Sequence, residues 1–178
     1  MEEVIPKLVG PRLILRKPEL EDSSVIFSEY ACDAEVTRYL TWTPHKCIET
    51  VDEFVRALIE KNRSGDEFAW AIARPEDNRL IGMISARFRG HTADLGYVLA
   101  RNHWKNGYMT EAVTFVSDWF LARPGFFRVS AVCDVENPAS ARVLQKSGFE
   151  REGILRRYML HPNVSSEPRD CLLFARVN

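Results

Sequence analysis

The stretch of this sequence with most chemistry in it is Trp104-Lys105-Asn106-Gly107-Tyr108-Met109-Thr110-Glu111-Ala112. It sets a lysine and a glycine directly ahead of a segment with helical periodicity. The first turn of a helix leaves backbone N–H groups without intrahelical partners, and the helix dipole adds positive potential there. A loop entering a helix in this way suits a phosphate or pyrophosphate. Gly107 allows close backbone approach and unusual dihedrals. The order is neither the Gly-Lys-Ser/Thr of a P-loop nor the three-glycine dinucleotide fingerprint, so a redox enzyme is poorly supported. A single glycine before a helix is also how an ordinary helix begins, and the residues alone leave both readings open. A second constellation is Asn137-Pro138-Ala139-Ser140. Asparagine there is a helix cap and proline suits the first helical position.

These residues need a scaffold, and the pattern supplies one. Leu13-Ile14-Leu15 between Arg12 and Arg16 reads as a first strand ended by Pro18. Asp22, Ser23 and Ser24 offer caps to a helix carrying Val25, Ile26 and Phe27. A short helix follows from Asp33 to Leu40, then a turn at Thr41-Trp42-Thr43-Pro44. Glu49 to Arg63 is a longer helix with an apolar stripe of Val51, Phe54, Val55, Leu58 and Ile59. Three strands come next, from Phe68 to Ala73, Leu80 to Phe88 and Asp94 to Leu99, joined closely enough to form an antiparallel meander. Gly107 to Leu121 is a helix whose Met109, Ala112, Val113, Val116, Trp119 and Phe120 share a face. A strand from Phe127 to Val135 alternates, with Phe127, Val129, Ala131, Cys133 and Val135 on one side. A helix runs from Pro138 to Ser147 and Gly148 closes it. Two strands near 149–160 and 170–177 finish the chain, around a polar loop at 162–168. The crossover through the helix at 107–121 demands one parallel strand pair amid antiparallel neighbours. The fold class is α/β in the α+β sense, a mixed sheet with helices, in a single domain over residues 1–178.

Composition bounds what such a domain does. The chain has 178 residues, 46% of them apolar, enough to build a core. Its 24 basic and 25 acidic side chains leave a net charge of −1, which argues against direct nucleic-acid binding. No apolar run approaches the ~18 residues of a membrane span. The acidic opening Met1-Glu2-Glu3-Val4-Ile5-Pro6 lacks the order of a secretory signal, so a cytoplasmic location is expected. Cys32, Cys47, Cys133 and Cys171 form no Cys-x-x-Cys pair and read as core residues or free thiols in a reducing compartment. No metal is expected.

At this point the sequence resembles a family. Leu95-Gly96-Tyr97-Val98-Leu99 followed by Trp104-x-x-Gly107-Tyr108-x-Thr110-Glu111-Ala112 is similar to the core of the GCN5-related N-acetyltransferases (GNAT). More narrowly it is similar to the RimJ/RimL branch, which acetylates the N-termini of ribosomal proteins. Asn137-Pro138-Ala139-Ser140, running into Ser147-Gly148-Phe149-Glu150, supports this, as do Arg12-Leu13-x-Leu15-Arg16 and Arg169-Asp170. The resemblance implies the GNAT fold, a mixed, mostly antiparallel sheet of about six or seven strands flanked by about four helices. It implies acetyl-CoA as donor, a primary amine as acceptor and direct attack on the thioester. Two positions depart from the family pattern: Met109 stands where a small residue is usual, and Lys105 where the branch favours glycine.

Carried over by position, the resemblance implies that the backbone of Val98 and Leu99 pairs with the pantetheine arm, in a slot where two strands splay apart. Trp104, Lys105, Asn106, Gly107, Tyr108, Met109 and Thr110 would wrap the pyrophosphate. Asn137 and Ser140 would face the thioester, with Ser140 assisting the leaving thiolate; as residues they are equally a cap and a first-turn serine. Asp94 is the candidate base, against a surface or capping carboxylate; Glu136 and Glu111 are weaker candidates. Tyr39 and Trp42 in the early helices, and Tyr158 with Arg157 and His161 in the late loop, would line the acceptor pocket. The acceptor is a protein N-terminus or a small amine such as a polyamine, amino acid or aminoglycoside. A non-catalytic acyl-CoA-binding module is the alternative outside enzymes. Monomer and homodimer both stay open.

Overall fold

The computed structural model describes residues 5–178; residues 1–4, part of the argument against a secretory signal, lie outside them. Eight strands form one sheet: β1 (Leu8–Val9), β2 (Ile14–Arg16), β3 (Glu67–Ala73), β4 (Leu80–Arg89), β5 (Thr92–Leu99), β6 (Arg128–Asp134), β7 (Glu150–Met159) and β8 (Arg169–Val177). Their order is β1-β2-β3-β4-β5-β6-β8-β7. All neighbours are antiparallel except β5 and β6. The strand beyond the expected seven is β1, two residues too short to leave a period in the sequence.

The helices are α1 (Asp22–Ile26), which runs on as a π-turn over Phe27–Ala31, then α2 (Ala34–Thr37), α3 (Ile48–Ser64), α4 (Tyr108–Leu121) and α5 (Pro138–Lys146). They divide between the two faces of the sheet. On one face α4 and α5 bury Met109, Ala112, Val113, Val116, Phe120 and Leu144 against Trp70, Leu95, Val129, Ala131 and Phe174. On the other, α1 and α3 bury Ile26, Val51, Val55 and Leu58 against Ala69, Ala71 and Met83. Phe54 and Ile59, expected in the stripe of α3, sit at its half-exposed margin, because a helix on a flat sheet covers a narrower arc than its apolar residues span. Phe127 and Val135 likewise fall just outside β6 and are exposed, while Val129, Ala131 and Cys133 between them are buried.

Asp22 does not cap α1. It is the helix's first residue, buried, and its two carboxylate oxygens take bonds from Arg16 Nη1 at 2.8 Å and Nη2 at 2.7 Å. Asn78 Oδ1 accepts from Arg16 Nε at 3.0 Å, so the guanidinium is held on both edges. Asn137, by contrast, caps α5 as expected, its Oδ1 accepting from Ser140 N at 3.1 Å, with Pro138 at the first position.

The parallel pair positions the site. Its ladder runs from Thr92↔Arg128 to Leu95↔Ala131 and stops, although β5 continues to Leu99 and β6 to Asp134. The strands therefore part after Leu95 and leave a fork between Gly96–Leu99 and Val132–Asp134. Among the described residues no helix is long and apolar enough to cross a membrane.

Candidate active site

The loop from β5 to α4 has two residues with left-handed backbone, Lys105 at φ 64° and Gly107 at φ 81°. This is the position where glycine would cost least, and Lys105 accepts the strain instead. No side chain caps α4. The N–H of Glu111 is the first to bond back, to Gly107 O at 3.1 Å, which leaves the amides of the preceding turn directed out of the helix end. A Cβ on Gly107 would meet only Arg12 Nη2, at 3.5 Å, so it is the dihedral and not crowding that asks for glycine. A left-handed loop feeding an uncapped helix start fits an anion.

The residues of this loop divide by role. Trp104 Nε1 donates to Leu99 O at 2.8 Å, tying the loop to the end of β5 and occupying that carbonyl. Asn106 Nδ2 bonds back to His103 O and Trp104 O. The Met109 side chain is buried in the core below α4, so only its backbone amide can reach a phosphate. Its bulk is a plug in the core. The Thr110 carbonyl accepts from Ser147 Oγ at 3.2 Å, which links α4 to α5.

At the fork, Ser140 Oγ lies 2.8 Å from the hydroxyl of Tyr97. Burial raises the Tyr97 phenol above its ordinary range, against the lowering effect of its bond to Ser140, so it stays protonated at neutral pH. Cys133 on β6 lies near Ser140, and burial pushes its thiol up to about 11 against the lowering effect of the Ser140 hydroxyl. Tyr97, Ser140 and Cys133 thus form one polar cluster beside the opening, fed by β5, α5 and β6. The cap bond of Asn137 uses its Oδ1 and leaves its amide nitrogen as the group able to reach a ligand.

Asp94 is placed differently. It pairs with Ser130 across β5 and β6, below the fork, and its Oδ1 accepts from Ser130 Oγ at 3.1 Å. It projects from the sheet face opposite Leu95 and Tyr97. Burial raises its carboxyl above the ordinary value, opposed by Ser130, Arg87 and Arg89. The structure does not bring Asp94 and Ser140 together.

The acceptor-side residues are only partly gathered. Tyr39 donates to Glu136 O at 2.9 Å, across from α2 to the end of β6, and its ring meets His161 edge-on. Trp42 packs on the α1–α3 core and against His45. Asn163 donates to Thr37 O and Trp42 O, so the late loop and the early segment are stitched together. Tyr158 stands apart, 51% exposed on edge strand β7. A cleft of about 340 Å³, open to solvent, lies between Val135, Glu136, Arg157, Glu167 and Arg169.

Beneath this lies a group that sequence reasoning missed. Asp134, 1% exposed, accepts from Arg169 Nε at 2.6 Å and from Glu136 N at 2.8 Å, with buried His161 Nε2 at 3.8 Å. Arg169 Nη2 reaches Glu136 as well, at 2.9 Å, so Glu136 is an ion-pair partner. Nothing in the spacing of an aspartate ending a strand distinguishes it from a solvent-facing one. The only signal was its closeness to Asn137. Among the described residues no cluster of three or more His, Cys, Asp or Glu could hold a metal.

A forked parallel pair, a left-handed loop at an uncapped helix start and a hydroxyl pair beside the fork fit an acyl-transferase class of site. Residues 12–150 match the acetyltransferase (GNAT) domain family. The chain is 34% identical over 159 residues to an uncharacterized N-acetyltransferase, YoaA, of Bacillus subtilis, covering 88% of this chain and 89% of that protein. It is 28% identical over 120 residues to the [ribosomal protein uS5]-alanine N-acetyltransferase of Escherichia coli, covering 65% and 60%. Its fold matches that of RimL, a ribosomal L7/L12 alpha-N-protein acetyltransferase solved in complex with coenzyme A, with a TM-score of 0.84 at 21% identity over 98% of each chain. The chain belongs to the GNAT family and is an N-acetyltransferase.

Proposed function

We propose that this enzyme acetylates the N-terminal amine of a protein, such as a ribosomal protein, with acetyl-CoA as donor. Bound acetyl-CoA supplies an activated acetyl thioester open to direct attack by the amine. In this reading the backbone of Val98 and Leu99 holds the pantetheine arm in the fork, and an N–H there meets the carbonyl oxygen as charge develops. Loop 104–110 holds the pyrophosphate through backbone amides. Ser140, bonded to Tyr97, assists the departing thiolate by donating a hydrogen bond to it. Asp94, set below the fork on the opposite sheet face from Tyr97, is the base only by relay: the amine's proton passes to water and reaches the carboxylate along a water chain. Tyr39 and Trp42 wall the acceptor side, while Tyr158, on the edge strand, stands apart from it. Holding both reactants in one slot accounts for much of the acceleration. The continuous sheet from Leu8 to Val177 supports the reading of one domain; the enzyme is read as cytoplasmic and as a monomer or homodimer.

The observation that carries the donor half is the fork after Leu95↔Ala131 beside the left-handed loop. The solvent-open cleft at Glu136 and Arg169, beside Asn137, has room for an extended peptide. The test is thiol release from acetyl-CoA with peptides starting in Ala or Ser, against polyamines, amino acids and aminoglycosides. Acceptor-dependent release with a peptide is expected. Release only with a small amine would overturn the peptide assignment.

A further inference from the structure

Arg12 has no part in the roles assigned above, yet it reaches from the start of the chain to the entrance of α4. Its Nε donates to Glu111 Oε2 at 2.8 Å, and Nη2 lies 2.7 Å from the same oxygen. Its Nη1 donates to the backbone carbonyl of Asn106 at 2.9 Å. The guanidinium lies 5.1 Å from the centre of the Tyr108 ring. It therefore sits between a carboxylate and the left-handed loop, next to Gly107.

Glu111 explains why a cation is needed there. Its side chain is only 11% exposed, in the first turn of the helix whose amides face the anion. A nearly buried, unpaired carboxylate so close would repel a pyrophosphate and cancel the dipole that attracts it. The Asn106 carbonyl is a second negative end in the same loop, and Arg12 holds it too.

We propose that Arg12 is a positioning residue for the pyrophosphate: it cancels the Glu111 charge and restrains the Asn106 carbonyl, so that the loop presents only donors. This rests on the reading of loop 104–110 as the pyrophosphate site. Arg12 acts through the loop and makes no contact with the reacting atoms.

The test compares CoA, titrated by calorimetry, with acetyl-pantetheine, which lacks the pyrophosphate and is followed by NMR. Arg12→Gln should bind CoA roughly tenfold more weakly, as for loss of one compensating charge near a surface. Its binding of acetyl-pantetheine should not change. Adding Glu111→Gln should recover most of the loss, because the uncompensated charge is gone. Glu111→Gln alone should bind CoA at least as tightly as wild type, which keeps the test intact should Arg12→Gln fold poorly. Unchanged CoA affinity in Arg12→Gln, parallel loss of both ligands, no recovery in the double variant, or weakened CoA binding by Glu111→Gln would each overturn the inference. Failure of the wild-type protein to bind CoA would instead sink the pyrophosphate reading, and this one with it, before any substitution is made.

Discussion

At the scale of single residues, Ser140 and Tyr97 carry the sharpest expectation. The two hydroxyls are 2.8 Å apart, and the phenol is held protonated by burial. Ser140→Ala removes the hydroxyl proposed to meet the leaving thiolate. A positioned acid contributes typically about 10²–10⁴ in rate. Since thiolates leave readily without help, we expect the lower end: kcat down about 100-fold, with KM for acetyl-CoA little changed. Tyr97→Phe should give a smaller loss of the same kind. Steady-state kinetics with the acceptor that the thiol-release panel identifies check both. An equal rise in KM with unchanged kcat would make Ser140 a binding residue only. The neighbouring Cys133, its thiol pushed up to about 11, is a thiol and not a thiolate at neutral pH, so it is a poor nucleophile for an acetyl-enzyme route.

At the scale of elements, function depends on how α4 begins and where β5 and β6 part. Gly107 holds φ 81° with room for a methyl group, so Gly107→Ala tests the dihedral alone. A left-handed alanine costs about 1–2 kcal/mol. We expect CoA affinity, measured by calorimetry, to fall roughly 5- to 30-fold if the loop must keep this shape to bind. A lowered Tm with normal CoA affinity would mean that the strain falls on folding and that the loop adapts. Capping signals made α5 legible in advance, because Asn137 and Pro138 act locally. Those of α1 misled, because Asp22 finds a better partner in Arg16 than in its own helix end. A local preference worth about 1 kcal/mol yields to a bidentate buried ion pair.

At the scale of the whole molecule, the Asp134–Arg169 pair joins the end of β6 to the start of β8 beside the late loop. Burial alone would raise the Asp134 carboxyl. The Arg169 guanidinium and the Glu136 N–H outweigh it and hold the carboxyl below the usual range. Such a group adds stability that is fully present above its unfolded pKa, near about 3.9, and that is lost as pH falls through the lower native value. Urea unfolding should show Asp134→Asn less stable than wild type by about 1–3 kcal/mol at pH 7. The gap should begin to narrow below about pH 4, where the unfolded chain's carboxyl takes up its proton, and should close as pH falls through the lower native value. A gap independent of pH would mean that packing and not charge is what Asp134 contributes. Much of this protein could be read from its residue order. The element order, the parallel crossover, the loop and cap around Gly107 and Asn137, and the family itself all rest on periods and spacings within about fifteen residues, where local sterics and hydrogen bonding decide. Tertiary structure decided the rest. It set Met109 inward as a plug, placed Asp94 away from Ser140, left Tyr158 on an outer edge, and brought Arg12 to Glu111 and Asp134 to Arg169. Each of these joins or separates residues on different elements, and which charge or ring meets which depends on how the sheet and its helices close.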